Sequence, residues 1–133
     1  MKATVLDASA LLALLFDQPG AEKMEELFHK TAEADRLLFI SAVNWGEVVY
    51  KMERKHGQAG YAAAQRFAHT MPLEIVPLDR DLAEAAALLK NEFHLGLADA
   101  FAAALAKHKK AELAATDFGF KALEKEIKIN WLK

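Results

Sequence analysis

Short apolar runs alternate with helical periodicities along the whole chain. Ala3 to Leu6 predicts a buried strand that ends at Asp7. Ser9 to Phe16 is nearly all apolar, the pattern of a helix buried on every side. Pro19 then suits the first turn of a helix, whose inner face carries Met24, Leu27, Phe28 and Thr31 at helical spacing. Leu37 to Ile40 is a second strand. Ser41 caps a helix that runs to about Arg54 and stops at Gly57. A further helix, Gln58 to Met71, lines up Tyr61, Ala64, Ala68 and Met71. Leu73 to Leu78 is a third strand, stopped near Pro77. Asp79 caps a helix with Leu82, Ala85, Ala86, Leu89 and Phe93 inside, and Gly96 breaks it. Leu97 to His108 is an alanine-rich helix suited to close packing. Glu112 to Thr116 is a fourth strand ending at Asp117; a short helix with Phe120 and Leu123 follows, then a weak fifth strand, Ile127 to Asn130, at an edge.

Strands joined by helical segments long enough for crossovers predict a parallel sheet covered on both faces, with right-handed connections. The expected fold is α/β, a three-layer α/β/α sandwich around a central parallel five-stranded sheet, one domain over residues 1–133. Composition agrees. An apolar content of 53% against 27% charged excludes disorder. The absence of cysteine excludes a disulfide framework, a zinc ribbon and a thiol nucleophile. A net charge of −2 gives no bulk attraction for polyanions, so any such site is made locally. Lys2 ahead of Ala10 to Phe16 resembles a signal peptide only faintly. Asp7 and Asp17 bracket the run, no small-residue cleavage site follows, and the run is too short to span a bilayer. A cytoplasmic protein without membrane association is expected.

Ligands of such folds bind beyond the carboxyl ends of the strands, where the strand order switches. Four carboxylates fall at that edge. Asp7 leaves the first strand and Asp117 the fourth; Glu47 lies almost two turns into the helix after the second strand; Asp99 lies in the first turn of the helix leading to the fourth. Gathered in one pocket they repel one another, which raises pKa values unless a cation intervenes. An all-oxygen donor set suits Mg²⁺ or Mn²⁺, ions that activate water and steady the leaving oxygen of an in-line displacement. No nucleophilic triad competes with this reading. Each carboxylate also has a plainer one. Asp7 and Asp117 can be helix caps, Asp99 can complement a helix dipole, and Glu47 can pair with Lys51 one turn on. Asp79 and Asp81 reach the same edge, but Asp79 reads as a cap and neither is included.

These residues resemble the PIN-domain nucleases over essentially the whole chain. Val5-Leu6-Asp7-Ala8-Ser9 is similar to the family's first motif. Ser41 to Val48, with Glu47, resembles its second, Leu97-Ala98-Asp99-Ala100 its third, and Ala114-Ala115-Thr116-Asp117 with Phe120 its fourth. The small size further resembles the VapC-type toxins of toxin–antitoxin pairs. The resemblance implies a Mg²⁺- or Mn²⁺-dependent endoribonuclease whose metals are held by Asp7, Glu47, Asp99 and Asp117. It also implies that Ser9 and Asn44 support the site or contact phosphate, that the protein is a homodimer, and that an antitoxin segment blocks the metals. The chain departs from the family pattern at Ala115, where Ser or Thr is frequent and Thr116 instead adjoins the Asp, and at Gly119, where an acid often stands. One bound metal, with a second arriving with RNA, is therefore as compatible as two.

Asn44, Glu47, Lys51 and Arg54 share a helix face. Lys51 and Arg54 read either as a basic track leading phosphates to the metals or as a solvated face. Lys107, Lys109 and Lys110 suit a helix C-terminus. Trp45 and Tyr50 are expected in core or interface packing rather than stacked on bases. The five histidines show no ligand spacing and are expected at the surface. The high apolar content also fits a homodimer. Other classes remain. A haloacid-dehalogenase-like phosphatase needs an Asp where Ser9 stands, and a receiver-like domain needs an acidic pair where Asp7 stands alone. A non-catalytic, partner-binding relative of the same fold stays open.

Overall fold

The computed structural model describes residues 2–133. Five strands form one sheet: β1 (Thr4–Leu6), β2 (Leu38–Ser41), β3 (Leu73–Val76), β4 (Glu112–Ala115) and β5 (Ile129–Trp131). Their order is β3-β2-β1-β4-β5, and every pairing is parallel. The chain steps outward from β1 to β2 and β3, then returns to place β4 on the other side of β1. The order therefore switches between β1 and β4, whose carboxyl ends open a crevice for ligands. Leu6 is in register with Ala114, so Asp7 emerges beside Ala115 and Thr116.

Helices α1 (Ala8–Leu15), α2 (Ala21–Glu33) and α3 (Ala42–Thr70) cover one face; α4 (Arg80–Phe93) and α5 (Leu97–Lys109) cover the other. The period-two alternation of the strands divides the core accordingly. Leu6, Leu38, Ile40 and Ala114 point to α1–α3 with Leu11, Met24 and Phe28, whereas Val5, Leu113 and Ala115 point to the alanines of α5. Small side chains on α5 let it lie close to the sheet and leave Ala100 and Ala102 to Ala104 buried. The three-layer expectation holds.

Some boundaries differ from those expected. Pro19 precedes the α2 cap rather than opening the helix. The cap is Gly20, whose φ of +106° is left-handed, and Thr116 Cγ2 and Leu132 lie 3.2–3.3 Å from where a β-carbon would stand. Gly57 does interrupt the helix as expected, with φ +63° and ψ −147°; a second helix follows directly across the kink, as expected, and the two are labelled together as α3. After the bend Gly60 rides against the Met52 carbonyl. β3 and β4 are shorter than expected, and β5 begins two residues later because Ile127 is buried in the core below it. A 3₁₀ helix, Phe118–Leu123, joins β4 to this edge strand. Of the core or interface packing expected for Trp45 and Tyr50, Trp45 packs partly against the α1–α3 core, whereas Tyr50 is 53% exposed and outside the core. All five histidines are exposed, as expected.

Candidate active site

Asp7 sits at the switch point. It is 2% exposed and caps α1: Oδ1 accepts from Ala10 N at 2.9 Å, and Oδ2 accepts from Ser9 Oγ at 2.7 Å. Ser9 Oγ in turn lies 3.4 Å from Thr116 N and accepts from it, which ties the ends of β1 and β4 together. Both acceptor bonds favour the charged carboxylate, yet burial outweighs them. The Asp7 pKa is pushed up from 3.8 to about 7, first by desolvation, then by the charges of Asp99 and Asp117.

Asp99 lies in the first turn of α5, after a Gly96 that supplies no side-chain cap. It is half-buried, and its pKa rises from 3.8 to about 6 through burial and the charges of Asp117 and Glu47. Asp117 follows β4, is exposed, and caps the 3₁₀ helix by accepting from Gly119 N at 2.9 Å. A β-carbon on Gly119 would stand 3.3 Å from Asp117 Oδ1 and 3.4 Å from Asp99 Oδ2, so these two carboxylates face a common point. Glu47 projects from α3, and its Oε2 pairs with Lys51 Nζ at 3.0 Å. Three of the plainer roles are therefore realised: Asp7 and Asp117 are caps, and Glu47 has its i+4 lysine. Asp7 nevertheless feels the charges of Asp99 and Asp117, and Asp99 those of Asp117 and Glu47. Among the described residues no three His, Asp or Glu side chains are already spaced to hold an ion.

Asn44, 1% exposed, is committed inside the protein. It shares a short hydrogen bond with the Ser41 hydroxyl and donates through Nδ2 to Ala98 O at 3.0 Å. It clamps the start of α3 to the start of α5 and so sets Glu47 and Asp99 relative to each other. Of the two roles implied for it, the geometry fits support rather than contact with phosphate. Thr116 contributes its backbone N–H to Ser9 and a methyl to the wall beside Gly20. Lys51, Arg54 and Lys55 line a cleft with Phe16 at the end of α1. Lys55 Nζ lies 4.4 Å over the Phe16 ring, and Arg54 Nη1 donates to Tyr50 Oη at 2.7 Å. Sequence reasoning did not find Phe16 and Lys55 as neighbours, since only the packing of α1 on α3 joins them. A larger apolar groove, lined by Leu14, Phe28, Phe67 and Met71, opens beside the amino end of β3, away from the carboxylates. Its size marks apolar surface and says nothing of the acidic chemistry.

Carboxylate oxygens are the donors a hard divalent cation takes; burial, with Asp99 and Asp117, raises the Asp7 pKa, and burial, with Asp117 and Glu47, raises that of Asp99. This is an α/β/α domain with an acidic oxygen-donor site at its topological switch point. The chain belongs to the PIN domain family, which matches residues 4–126. It is 32% identical over 82 residues to VapC ribonuclease Mb0640 of Mycobacterium bovis, a match spanning 62% of this chain and 60% of that protein. It is 32% identical over 110 residues to ribonuclease VapC of Mycolicibacterium smegmatis, covering 77% and 82%. The DNA-bound VapBC structure from Salmonella typhimurium superposes with a TM-score of 0.76 over all of both chains at 17% identity, a likeness of fold. Among the described residues no helix is long and apolar enough to cross a membrane.

Proposed function

We propose that the protein is a Mg²⁺- or Mn²⁺-dependent endoribonuclease acting as the toxin of a toxin–antitoxin pair. The observation that carries this reading is an aspartate at the switch point whose pKa is raised by burial and, beyond that, by two further aspartates, within a PIN domain. The ribonuclease names of its relatives support the activity, and the VapBC assembly similar in fold supports a protein antitoxin. Asp7, Glu47, Asp99 and Asp117 would hold the ion. When bound, the ion supplies neutralising charge and Lewis acidity to the phosphodiester. The chain's own residues prepare the rest. Ser9 and the Ala10 N–H fix the Asp7 carboxylate against rotation. Asn44 fixes the spacing of Glu47 and Asp99. Lys51 holds Glu47 at the rim and offers an ammonium where phosphate would approach. Exposed Leu88, Leu97 and Phe118 support a second copy or an antitoxin as covering partner.

The test is cleavage of an RNA pool with and without added Mg²⁺ or Mn²⁺, by the unsubstituted protein and by Asp7→Asn. Metal-dependent cleavage that Asp7→Asn abolishes is expected. Binding of metal with no cleavage of any RNA would instead make the domain a partner-binding module.

A further inference from the structure

The cleft between the end of α1 and the middle of α3 is lined by Phe16, Lys51, Arg54 and Lys55, with no carboxylate in its wall. Among the described residues neither Arg54 nor Lys55 has an acidic partner. Their contacts are aromatic instead: Arg54 lies 5.8 Å from the Tyr50 ring centre and Lys55 4.4 Å from that of Phe16. Tyr50 is 53% exposed, with its hydroxyl held by Arg54. The stripe continues the acidic site, because Lys51 touches both the cleft and Glu47. From Glu47 to Lys55 the helix rises ~12 Å. Cations beside one exposed ring, that of Tyr50, make a surface for single-stranded nucleic acid: the cations follow the backbone, and the ring accepts a base of any sequence.

We infer that this cleft is a single-stranded RNA subsite adjoining the carboxylates, in which Lys51, Arg54 and Lys55 take phosphates and Tyr50 takes a base. This rests on the ribonuclease reading and names where the strand leaves the scissile phosphate. An acidic peptide matches the cations as well but brings no nucleobase to lay on Tyr50.

The experiment uses the full chain carrying Asp7→Asn, so that RNA stays intact, in Mg²⁺, with a fluorescent single-stranded oligoribonucleotide followed by anisotropy across salt concentrations. Adding Arg54→Gln and Lys55→Gln should weaken binding and flatten the log–log salt dependence by about 0.7 per lost phosphate contact, about 1.4 for the pair. Both residues are exposed, and an unchanged melting temperature would verify the fold. Tyr50→Ala should weaken RNA binding roughly five- to hundredfold while leaving inorganic polyphosphate binding within twofold. An unchanged salt slope overturns the subsite. An equal loss of RNA and polyphosphate binding overturns the base-stacking role, and polyglutamate competing as well as RNA would assign the cleft to a protein partner. Cleavage by the unsubstituted chain is scored separately. If it fails while the slope still changes, the ribonuclease reading falls and the subsite stands.

Discussion

Replacing Asp7 by Asn should stabilise this protein in the absence of divalent ions, although it removes a buried group that makes two hydrogen bonds. The native carboxyl has a pKa of about 7 against 3.8 in the unfolded chain. The folded state therefore binds this proton more tightly than the unfolded state. Between about pH 4 and pH 7 it holds more protons, so stability falls as pH rises through that window. Below the unfolded value the contribution is fully present; above about pH 7 it has been lost. Roughly three units at 1.36 kcal/mol each amount to about 4 kcal/mol. Asn at this position keeps its carbonyl on Ala10 N–H and turns its amide toward Ser9, at a cost of about 1 kcal/mol. The net gain at pH 8 is about 3 kcal/mol, or roughly 10 °C for a chain between the sizes usually surveyed. Urea denaturation in EDTA at pH 4, 6 and 8 would measure it. At pH 4, where Asp7 is neutral, the order should invert, with wild type ahead by about 1 kcal/mol. A variant less stable than wild type at pH 8, or a difference independent of pH, refutes the claim that burial and like charge strain this carboxyl.

Four further substitutions have defined outcomes. In Asp99→Asn, Asp7 loses one of the charges that raise it, so its carboxyl carbon should titrate by NMR at lower pH than in wild type; an unmoved midpoint would separate the two groups. Asn44→Ala should cost about 2–3 kcal/mol in urea denaturation by removing the side-chain bonds to Ser41 Oγ and Ala98 O; unchanged stability with a raised KM for RNA would mean that Asn44 contacts phosphate instead. Gly60→Ala puts a β-carbon 2.1 Å from the Met52 carbonyl oxygen and should cost about 3 kcal/mol or more. Gly57→Ala meets open space and should cost about 1–3 kcal/mol from its backbone angles alone. A Gly60→Ala protein within 1 kcal/mol of wild type would exclude the tight crossing at the α3 bend.

The layers and the acidic edge were legible because they depend on alternation alone. Once strands alternate with helices, Asp7 and Asp117 must leave the same edge of the sheet, and Glu47 and Asp99 sit on helices that start there. Contacts between distant segments were not legible. Asn44 reads as a residue near an acidic motif, but its partner, the Ala98 carbonyl, is 54 positions away, and no local pattern points to it. Tyr50 sits at helical spacing from apolar residues, and only the packing of α1 beside α3 decides that its ring stays outside. Gly20 carried no signal beside Pro19, because the side chains that leave no room for a β-carbon there, Thr116 and Leu132, lie about a hundred residues on.

The capping role of Asp7 does not account for the aspartate itself. Asn or Ser caps a helix about as well as Asp, and neither carries a charge that burial penalises by several kcal/mol. Lys51 pairs with Glu47 at 3.0 Å, and no cation figures among the influences on Asp7. What surrounds Asp7 makes the imbalance worse, since Asp99 and Asp117 both push its pKa upward. A carboxylate fixed in orientation by Ser9 and Ala10, short of positive charge and ringed by its own kind is strained in the ion-free protein. A cation from solution bound by the folded chain only would relieve it, stabilising the fold by about 2.7 kcal/mol at a hundred times its dissociation constant. Wild type should therefore gain melting temperature with millimolar Mg²⁺ or Mn²⁺ at pH 8. Asp7→Asn, already relieved of its charge, should gain little, and an equal gain in both proteins would place the ion elsewhere.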